Sequence, residues 1–571
     1  MRALMTISNE DFYKHLSAAD AAPIIAVDTE TTGLRVREGI DYLMGISIAY
    51  TFNNIAMSVY FPFRHQDGNL DKDLLGPLGD LLRTHRLVFH NAPFDLASLR
   101  TIGIVCEGEI WDTQVMAHMY NENLPSKELD WLSTFFLKDK KTGEQVNIWA
   151  RVFGWATVPA EFMAQYAAKD AELTLRIFKV LYVLMKRQDL IKLWGWEDIF
   201  IKAIVEMEKW GLLLDKELAA KYAEQASVEM KAIEDDVGFA PSGRIALQEL
   251  LFDRLGLPVL EKTDNGEPSL NKHVMEQYDA MLSANDNPLA QKVLAYRGWQ
   301  RSNSACYLGY PKLAGTDGRV HASFKIFGTK TGRLSCVEPN LQQIPRRSDK
   351  AWDGQIKNLF VPSPGYQLWE FDYGQLEFRL ASLYGSDDSL LKAWKADEDP
   401  YQQVADTVGI TRQQAKTLVL SMLYGAGEEK IAYTLRISNS EAAAIRANFR
   451  RSYPGLKRKM AAATTKATEQ RFIQYWTGRK RHFTKFNPGE EHKAFNSVLQ
   501  GGGFEIVKRA ICKLLPLSNE EHRMVLTIHD SILFEIKEEL VDEFVPKVIN
   551  IMENSSKFSI PFKVEAKQWG A

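Results

Sequence analysis

The sequence predicts a multidomain α/β protein, and three observations carry that reading. The chain has 571 residues, more than one hydrophobic core usually fills, which argues for about three or four domains. Short β-branched runs alternate through residues 22–60 before helical segments take over. Strand-like segments return at 319–327, 367–373 and 524–536, on either side of a long helical stretch.

Taken in order, PIIAVDTETTGL, MGISIAY and IAMSVYFPF read as strands, and LVFH at 87–90 adds another. From 195 to 310 the pattern is helical and charged, as in YAEQASVEMKAIEDDV, broken by the turn-rich TDNGEPS at 263–269. A second helical region covers 387–470, and LTIHDSILFEI at 526–536 reads as a closing strand hairpin. Within it His529 and Asp530 interrupt an apolar run. A buried carboxylate without a partner is costly, so the pair either sits at a solvent-facing turn or holds a cation. No internal repeat or low-complexity tract is present.

Composition is that of an ordinary globular chain, with 45% hydrophobic and 25% charged residues. No stretch approaches the ~20 apolar residues of a membrane span. The N-terminal MRALMTISNEDFYKHL has no apolar core or small-residue cleavage site, so a cytoplasmic protein is expected. Cys106, Cys306, Cys336 and Cys512 are widely separated and fit reduced thiols better than disulfides or zinc. A net charge of -3 means that any nucleic-acid binding rests on local basic patches.

In AVDTETTGL, Asp28 and Glu30 stand two residues apart on an expected strand, so both carboxylates leave one face. HNAPFDL adds Asp95 after an apolar strand, and YAAKD puts Tyr166 and Asp170 one helical turn apart. Carboxylate oxygens suit hard divalent cations, and two such ions activate water and stabilise the leaving oxygen in phosphodiester cleavage. DTE, NxxFD (Asn91 to Asp95) and YxxxD, in that order, resemble the motifs of DEDDy 3′–5′ exonucleases. The resemblance covers residues 20–185. It implies a ribonuclease H-like fold, metal ligation by Asp28, Glu30, Asp95 and Asp170, and a water-orienting role for Tyr166. Asp112 in IWDTQ is expected to be structural.

LWEFDYGQLEFRLAS ends an apolar strand on Asp372 and enters a helix-like run in which Gln375 and Arg379 share a face. In TRQQAKTLVLSMLYGAG, Arg412, Lys416, Leu420 and Tyr424 fall at steps of four on one helical face. Cations at a helix start oppose the macrodipole unless an anion is near, and a triphosphate is the obvious one. DYGQLEFR, RQQAKTLVLSMLYG and IHDSILFEI resemble motifs A, B and C of family A DNA polymerases. TGRLSCVEPNLQQIP and FNSVLQGGG resemble two further primer-template segments of that family. Five ordered motifs, spread from about 190 to the C-terminus, carry far more weight than any one of them.

The resemblance implies a right-hand polymerase behind the exonuclease: 1–189 exonuclease, 190–310 thumb, 311–385 palm, 386–490 fingers and 491–571 second part of the palm. Asp372 and Asp530 would hold two Mg²⁺ ions, with Mn²⁺ as a substitute, and each active site would hold two such ions. Arg412 and Lys416 would meet the triphosphate, with Lys416 as general acid, while Leu420, Tyr424, Glu377, Gln375 and Tyr373 would surround the nucleotide. Arg333, Asn340, Gln342, Asn496, Gln500 and His529 would contact primer or template. The basic clusters RRSYPGLKRK at 450–459 and GRKRH at 478–482 are expected to face phosphate.

The implied substrates are primed DNA and dNTPs, handled by a monomer with no membrane attachment. With only a short segment before the exonuclease motifs, a 5′ nuclease domain is expected to be absent, and the compact layout resembles phage-type replicative enzymes. A dedicated exonuclease with a DNA-gripping C-terminal half, or a scaffold with decayed sites, would require lost acids, and the six principal ones are intact. Four positions depart from the family pattern. Ser531 stands where Glu is usual, Leu420 replaces an aromatic, Gly374 replaces Ser, and His492 replaces arginine.

Overall fold

A computed structural model describes residues 8–284, 286–345, 350–435, 437–484 and 489–570. Packing divides the chain into two compact units. One comprises Met1–Trp210, Ala322–Val337 and Tyr366–Trp569; the other comprises Gly211–His321, Glu338–Gly365 and Gly570–Ala571. The five segments expected from sequence follow motifs, whereas the two units follow contacts, so the exonuclease-like part shares a unit with Asp372, Lys416 and Asp530.

In the first unit, β1 (Ile25–Thr31), β2 (Leu43–Phe52), β3 (Ile55–Pro62), β4 (Leu87–Phe89) and β5 (Ile110–Asp112) form one sheet in the order β3-β2-β1-β4-β5. β2 and β3 are joined by Asn53-Asn54, both at positive φ, as a two-residue hairpin turn requires. β4 and β5 run parallel to β1, and α1 (Ala92–Arg100) supplies the crossover between them. The helix α2 (Thr113–Tyr120) follows β5 directly. The long α3 (Ala160–Arg187) packs across β1, β2 and β3, its buried Ala164, Ala167, Ala168 and Ala171 letting the backbone lie close. Beyond it α4 (Trp194–Trp210) buries Phe200, Ile201 and Ile204.

The second sheet of this unit has the order β7-β8-β6-β9, all antiparallel, from β6 (Tyr366–Tyr373), β7 (His522–Ile528), β8 (Ser531–Lys537) and β9 (Val564–Gln568). The hairpin expected at 524–536 is β7–β8, with His529 at φ 54 in its turn. It does not close the fold, because α7 (Val541–Glu553) and β9 follow, and β9 covers the edge of β6 that β8 leaves open. The helical region expected at 387–470 is present and includes α5 (Arg412–Leu423). Helix α6 (Ala494–Leu514) contains three consecutive glycines, at ~1 kcal/mol each relative to alanine. A Cβ on Gly501 would sit 2.2 Å from the Tyr475 ring, and one on Gly503 3.3 Å from Leu376, so close approach explains their presence.

The GRKRH cluster corrects the phosphate-facing expectation. Arg479 and Arg481 are 3% and 4% exposed and are consumed by acids distant in sequence. Glu197 Oε1 lies 3.1 Å from Arg479 Nη1 and 2.7 Å from Lys508 Nζ, Glu505 Oε1 lies 3.1 Å from Lys508 Nζ, and Glu122 Oε1 meets Arg481 at 2.6 Å. His118 bridges Arg479 Nη2 at 3.0 Å and the Thr329 carbonyl at 2.9 Å. In the other cluster Arg451, Lys457, Arg458 and Lys459 are exposed.

The second unit is a helical body. Helices Lys216–Val237, Lys272–Ser283 and Leu289–Ser302 enclose a core that includes Leu247, Leu251, Val274, Tyr278 and Val293. A two-stranded pair, Leu212–Leu213 with Arg319–Val320, lies at the ends of this segment. Asn340 and Gln342 belong to this unit, at the short turn Leu341–Gln343.

Candidate functional site

β1 presents Asp28 and Glu30 on one face, and Thr29 between them anchors a third acid: its backbone N–H and hydroxyl donate to Asp95 Oδ1 at 2.9 and 2.7 Å. Asp112 accepts from the backbone N–H groups of Asn91, Ala92, Gln114 and Val115. It caps α2 and fixes the start of α1, which carries Asp95, so its structural reading holds. Tyr166 and Asp170 stand one turn apart on α3. Asp28, Glu30, Asp95 and Asp170 therefore converge, and each of the first two is raised well above the usual carboxylate range by burial and then by its acidic neighbours.

Sequence reading missed Lys141. Its ammonium forms an ion pair with Asp170, lies 3.5 Å from the Tyr166 hydroxyl and stands 5.1 Å from the Tyr166 ring centroid. Burial opposes its charge, but Asp170, Tyr166 and Asp28 hold it protonated above its ordinary value. Nothing in LKDKKTGEQ separates this lysine from Lys138 and Lys140 beside it; only the loop path that lays Gly143 against the Tyr166 ring brings it in.

Burial raises Asp95 to about 7 and Asp170 to about 6. A divalent cation held by these acids would need both carboxylates ionised, so divalent-cation affinity should climb as pH rises through 6 and 7. Without cations the stability trend has the opposite sign. A raised carboxyl contributes stability below its unfolded value of 3.8 and loses it as pH rises through the folded value. Thermal unfolding in chelator should therefore occur at higher temperature at pH 5 than at pH 8, and a divalent cation should reduce the difference. Equal unfolding temperatures with chelator at both pH values would contradict the clustering of these acids.

The second cluster is assembled from four sequence segments. Asp372 near the end of β6 is in register with Ser531, and the Tyr373 N–H reaches the Asp530 carbonyl at 3.4 Å, so Asp372 on its strand lies beside the β7–β8 turn that carries Asp530. Arg333 Nη2 lies 2.6 Å from Glu377 Oε1 and 3.8 Å from Asp530 Oδ1. The Tyr424 hydroxyl donates to Glu377 Oε2 at 2.9 Å. Glu377 thus clamps Arg333 and Tyr424 beside Asp530.

The family model for DNA polymerase family A matches residues 213–570, and that for the 3′-5′ exonuclease matches residues 5–186. The chain belongs to DNA polymerase family A. The chain is 27% identical to DNA polymerase I of Pseudomonas aeruginosa over 98% of its own length and 65% of that protein, so it spans under two thirds of that relative. It is 29% identical to DNA polymerase DpoZ of Salmonella phage PMBT28, with 91% of each chain covered. A solved structure, the POL domain of Pol1 from M. smegmatis in complex with DNA primer-template and dNTP, shares the fold at a TM-score of 0.84. It is 22% identical and covers 99% of this chain and 98% of that one.

The remaining expected residues fall into two groups. Arg412 opens α5 and is held by Asp399, Lys416 is exposed one turn on, and Leu420 is half-buried on the same face. Asn496 and Gln500 are partly exposed one turn apart on α6. Two expectations need correction. Gln375 does not share a helical face with Arg379, because it sits at φ 59 ahead of the helix Leu376–Gly385, and Arg379 is buried, donating to the Gly374 and Pro561 carbonyls. Tyr373 does not offer its side chain to a nucleotide, because its hydroxyl is buried and donates to the Met552 carbonyl at 2.6 Å. Gly374 has ordinary space for a side chain, and nothing in the structure explains the departure there.

Family A polymerases and these exonucleases depend on divalent metal ions. Among the described residues, no three or more His, Cys, Asp or Glu side chains form a ready-made metal cage. The donor chemistry nevertheless fits. Both clusters offer carboxylate oxygens, and Asp170 Oδ1 is buried with no hydrogen-bond partner. The same described residues contain no helix long and apolar enough to cross a membrane.

Proposed function

We propose that this chain copies DNA from a primer 3′-hydroxyl with dNTPs and removes unpaired 3′ ends at its N-terminal site. The meeting of Arg333, Glu377, Tyr424 and Asp530, with Asp372 on the adjacent strand, carries the reading. Asp372 and Asp530 would hold two Mg²⁺ or Mn²⁺ ions; Asp28, Glu30, Asp95 and Asp170 would hold two more. Bound there, such ions supply Lewis-acid activation of the attacking oxygen and charge neutralisation at the leaving one.

The chain's own groups do the positioning. Arg412 and Lys416 bind the triphosphate from the exposed start of α5, and Lys416 protonates the departing pyrophosphate. Glu377, fixed by Arg333 and Tyr424, crowds the sugar and disfavours a 2′-hydroxyl, while Tyr424 packs near the templating base. Arg333 and Gln500 contact minor-groove acceptors common to all correct pairs. Asn340, Gln342 and Asn496 contact primer or template, and His529 stands beside the primer terminus in the turn that carries Asp530. At the exonuclease site Tyr166 orients the attacking water, and Lys141 steadies the Tyr166 hydroxyl and Asp170.

The reading describes a monomeric cytoplasmic enzyme of phage type, and the phage relative supports the last point. Pyrophosphate release on a primed template tests it. With a primer whose 3′-terminal linkages are exonuclease-resistant phosphorothioates, so that the N-terminal site cannot shorten and refill it, release should occur with the one dNTP complementary to the next template base and not with the other three; release with all four alike would refute template direction. Leu420 brings no ring to stack on a nucleotide. Leu420→Phe should therefore shift discrimination against dideoxynucleotides in primer extension, and identical discrimination would remove any role for Leu420 in sugar choice.

A further inference from the structure

The residue after Asp530 is Ser531, where the family pattern carries glutamate. Ser531 is fully buried, and its hydroxyl lies 3.2 Å from Glu370 Oε1 and 2.9 Å from the Ile528 carbonyl. Glu370 precedes Asp372 by two residues on β6, so both carboxylates leave the same face of that strand. In register, Asp372 has Ser531 on one side and Glu565 on the other, while Glu370 faces Leu533 and Lys567. A carboxylate thus reaches residue 531 from the adjacent strand, at the place from which the family pattern would project one.

We infer that Glu370 is a positioning residue of the polymerase centre, supplying across the strand pair, through Ser531, the negative charge that the turn itself lacks. The inference rests on the reading of Asp372 and Asp530 as that centre. Its physical consequence is reciprocity. A glutamate at 531 would crowd two carboxylates where Glu370 already reaches, so either position accepts the charge only when the other lacks it.

The test compares the full chain with Glu370→Gln, Glu370→Ala, Ser531→Glu and the double variant Glu370→Ala/Ser531→Glu. One readout is Mn²⁺ binding to the complex with dideoxy-terminated primer-template, followed by electron paramagnetic resonance of free Mn²⁺. Only the sites that appear on adding the complementary dNTP are counted. The other is the Mg²⁺ concentration giving half-maximal extension. Each single variant should weaken the dNTP-dependent sites about tenfold, and the double variant should recover to within about threefold of the unmodified protein. Glu370→Gln keeps a hydrogen-bond acceptor for Ser531, so its failure isolates the charge. Retained exonuclease activity on single strands confirms folding in each case. Unchanged Mn²⁺ binding in Glu370→Gln, or a double variant no better than Glu370→Ala, would overturn the inference. An unmodified protein that extends no primer would instead overturn the proposed function and this inference with it.

Discussion

Asp530→Asn should lower primer extension by about 10³-fold or more while leaving single-strand degradation within about twofold. The substitution is nearly isosteric and preserves the two-residue turn between β7 and β8, so the sheet that holds Asp372 stays in register. What it removes is one of two charges, on a strand end and the neighbouring turn, at the site proposed to carry synthesis. Arg333, 3.8 Å from Asp530 Oδ1, also loses part of its counter-charge, although Glu377 still holds it at 2.6 Å. The acids Asp28, Glu30, Asp95 and Asp170 of the N-terminal cluster lie on a different sheet and helices. Extension within about tenfold of the unmodified protein would mean that the Asp530 carboxylate does not hold a catalytic metal ion.

Glu197→Ala should destabilise the first unit by about 3–5 kcal/mol, the usual result of stranding a buried charge. Glu197 is 2% exposed and bonds both Arg479 and Lys508, themselves almost fully buried. Burial alone would raise its carboxyl, but Lys508 and Arg479 hold it below the usual range. That direction means its contribution is present above the unfolded value of 4.5 and is lost as pH falls through the folded one. Alanine leaves two cations sharing Glu505 alone. Urea denaturation followed by tryptophan fluorescence, with Trp194 and Trp196 close by, should show an earlier transition, and Glu197→Gln should fall between. An unchanged midpoint would show that the buried cations find other partners.

Much of this was legible in the sequence because the informative signals are local. Asp28 and Glu30 announce a shared face through strand periodicity, Tyr166 and Asp170 through helical spacing, and His529-Asp530 a turn through its interruption of an apolar run. Long-range pairings were not legible. GRKRH reads as a phosphate patch until Glu122, Glu197 and Glu505 arrive from elsewhere, the first two more than 280 residues away in sequence. Lys141 enters the N-terminal acid cluster only through its loop path, and Glu370 meets Ser531 only through strand register. Tyr373 shows the complementary failure: its place in a motif says nothing about its rotamer, and the side chain turns into the core.

The central claim is that one chain holds two working sites, one lengthening and one shortening the same strand. A 5′-labelled primer on a longer template, incubated with Mg²⁺ with and without four dNTPs and resolved by length, addresses it directly. Lengthening with dNTPs and shortening without them is the predicted result. Shortening in both conditions, across a range of metal and salt concentrations, would contradict the claim.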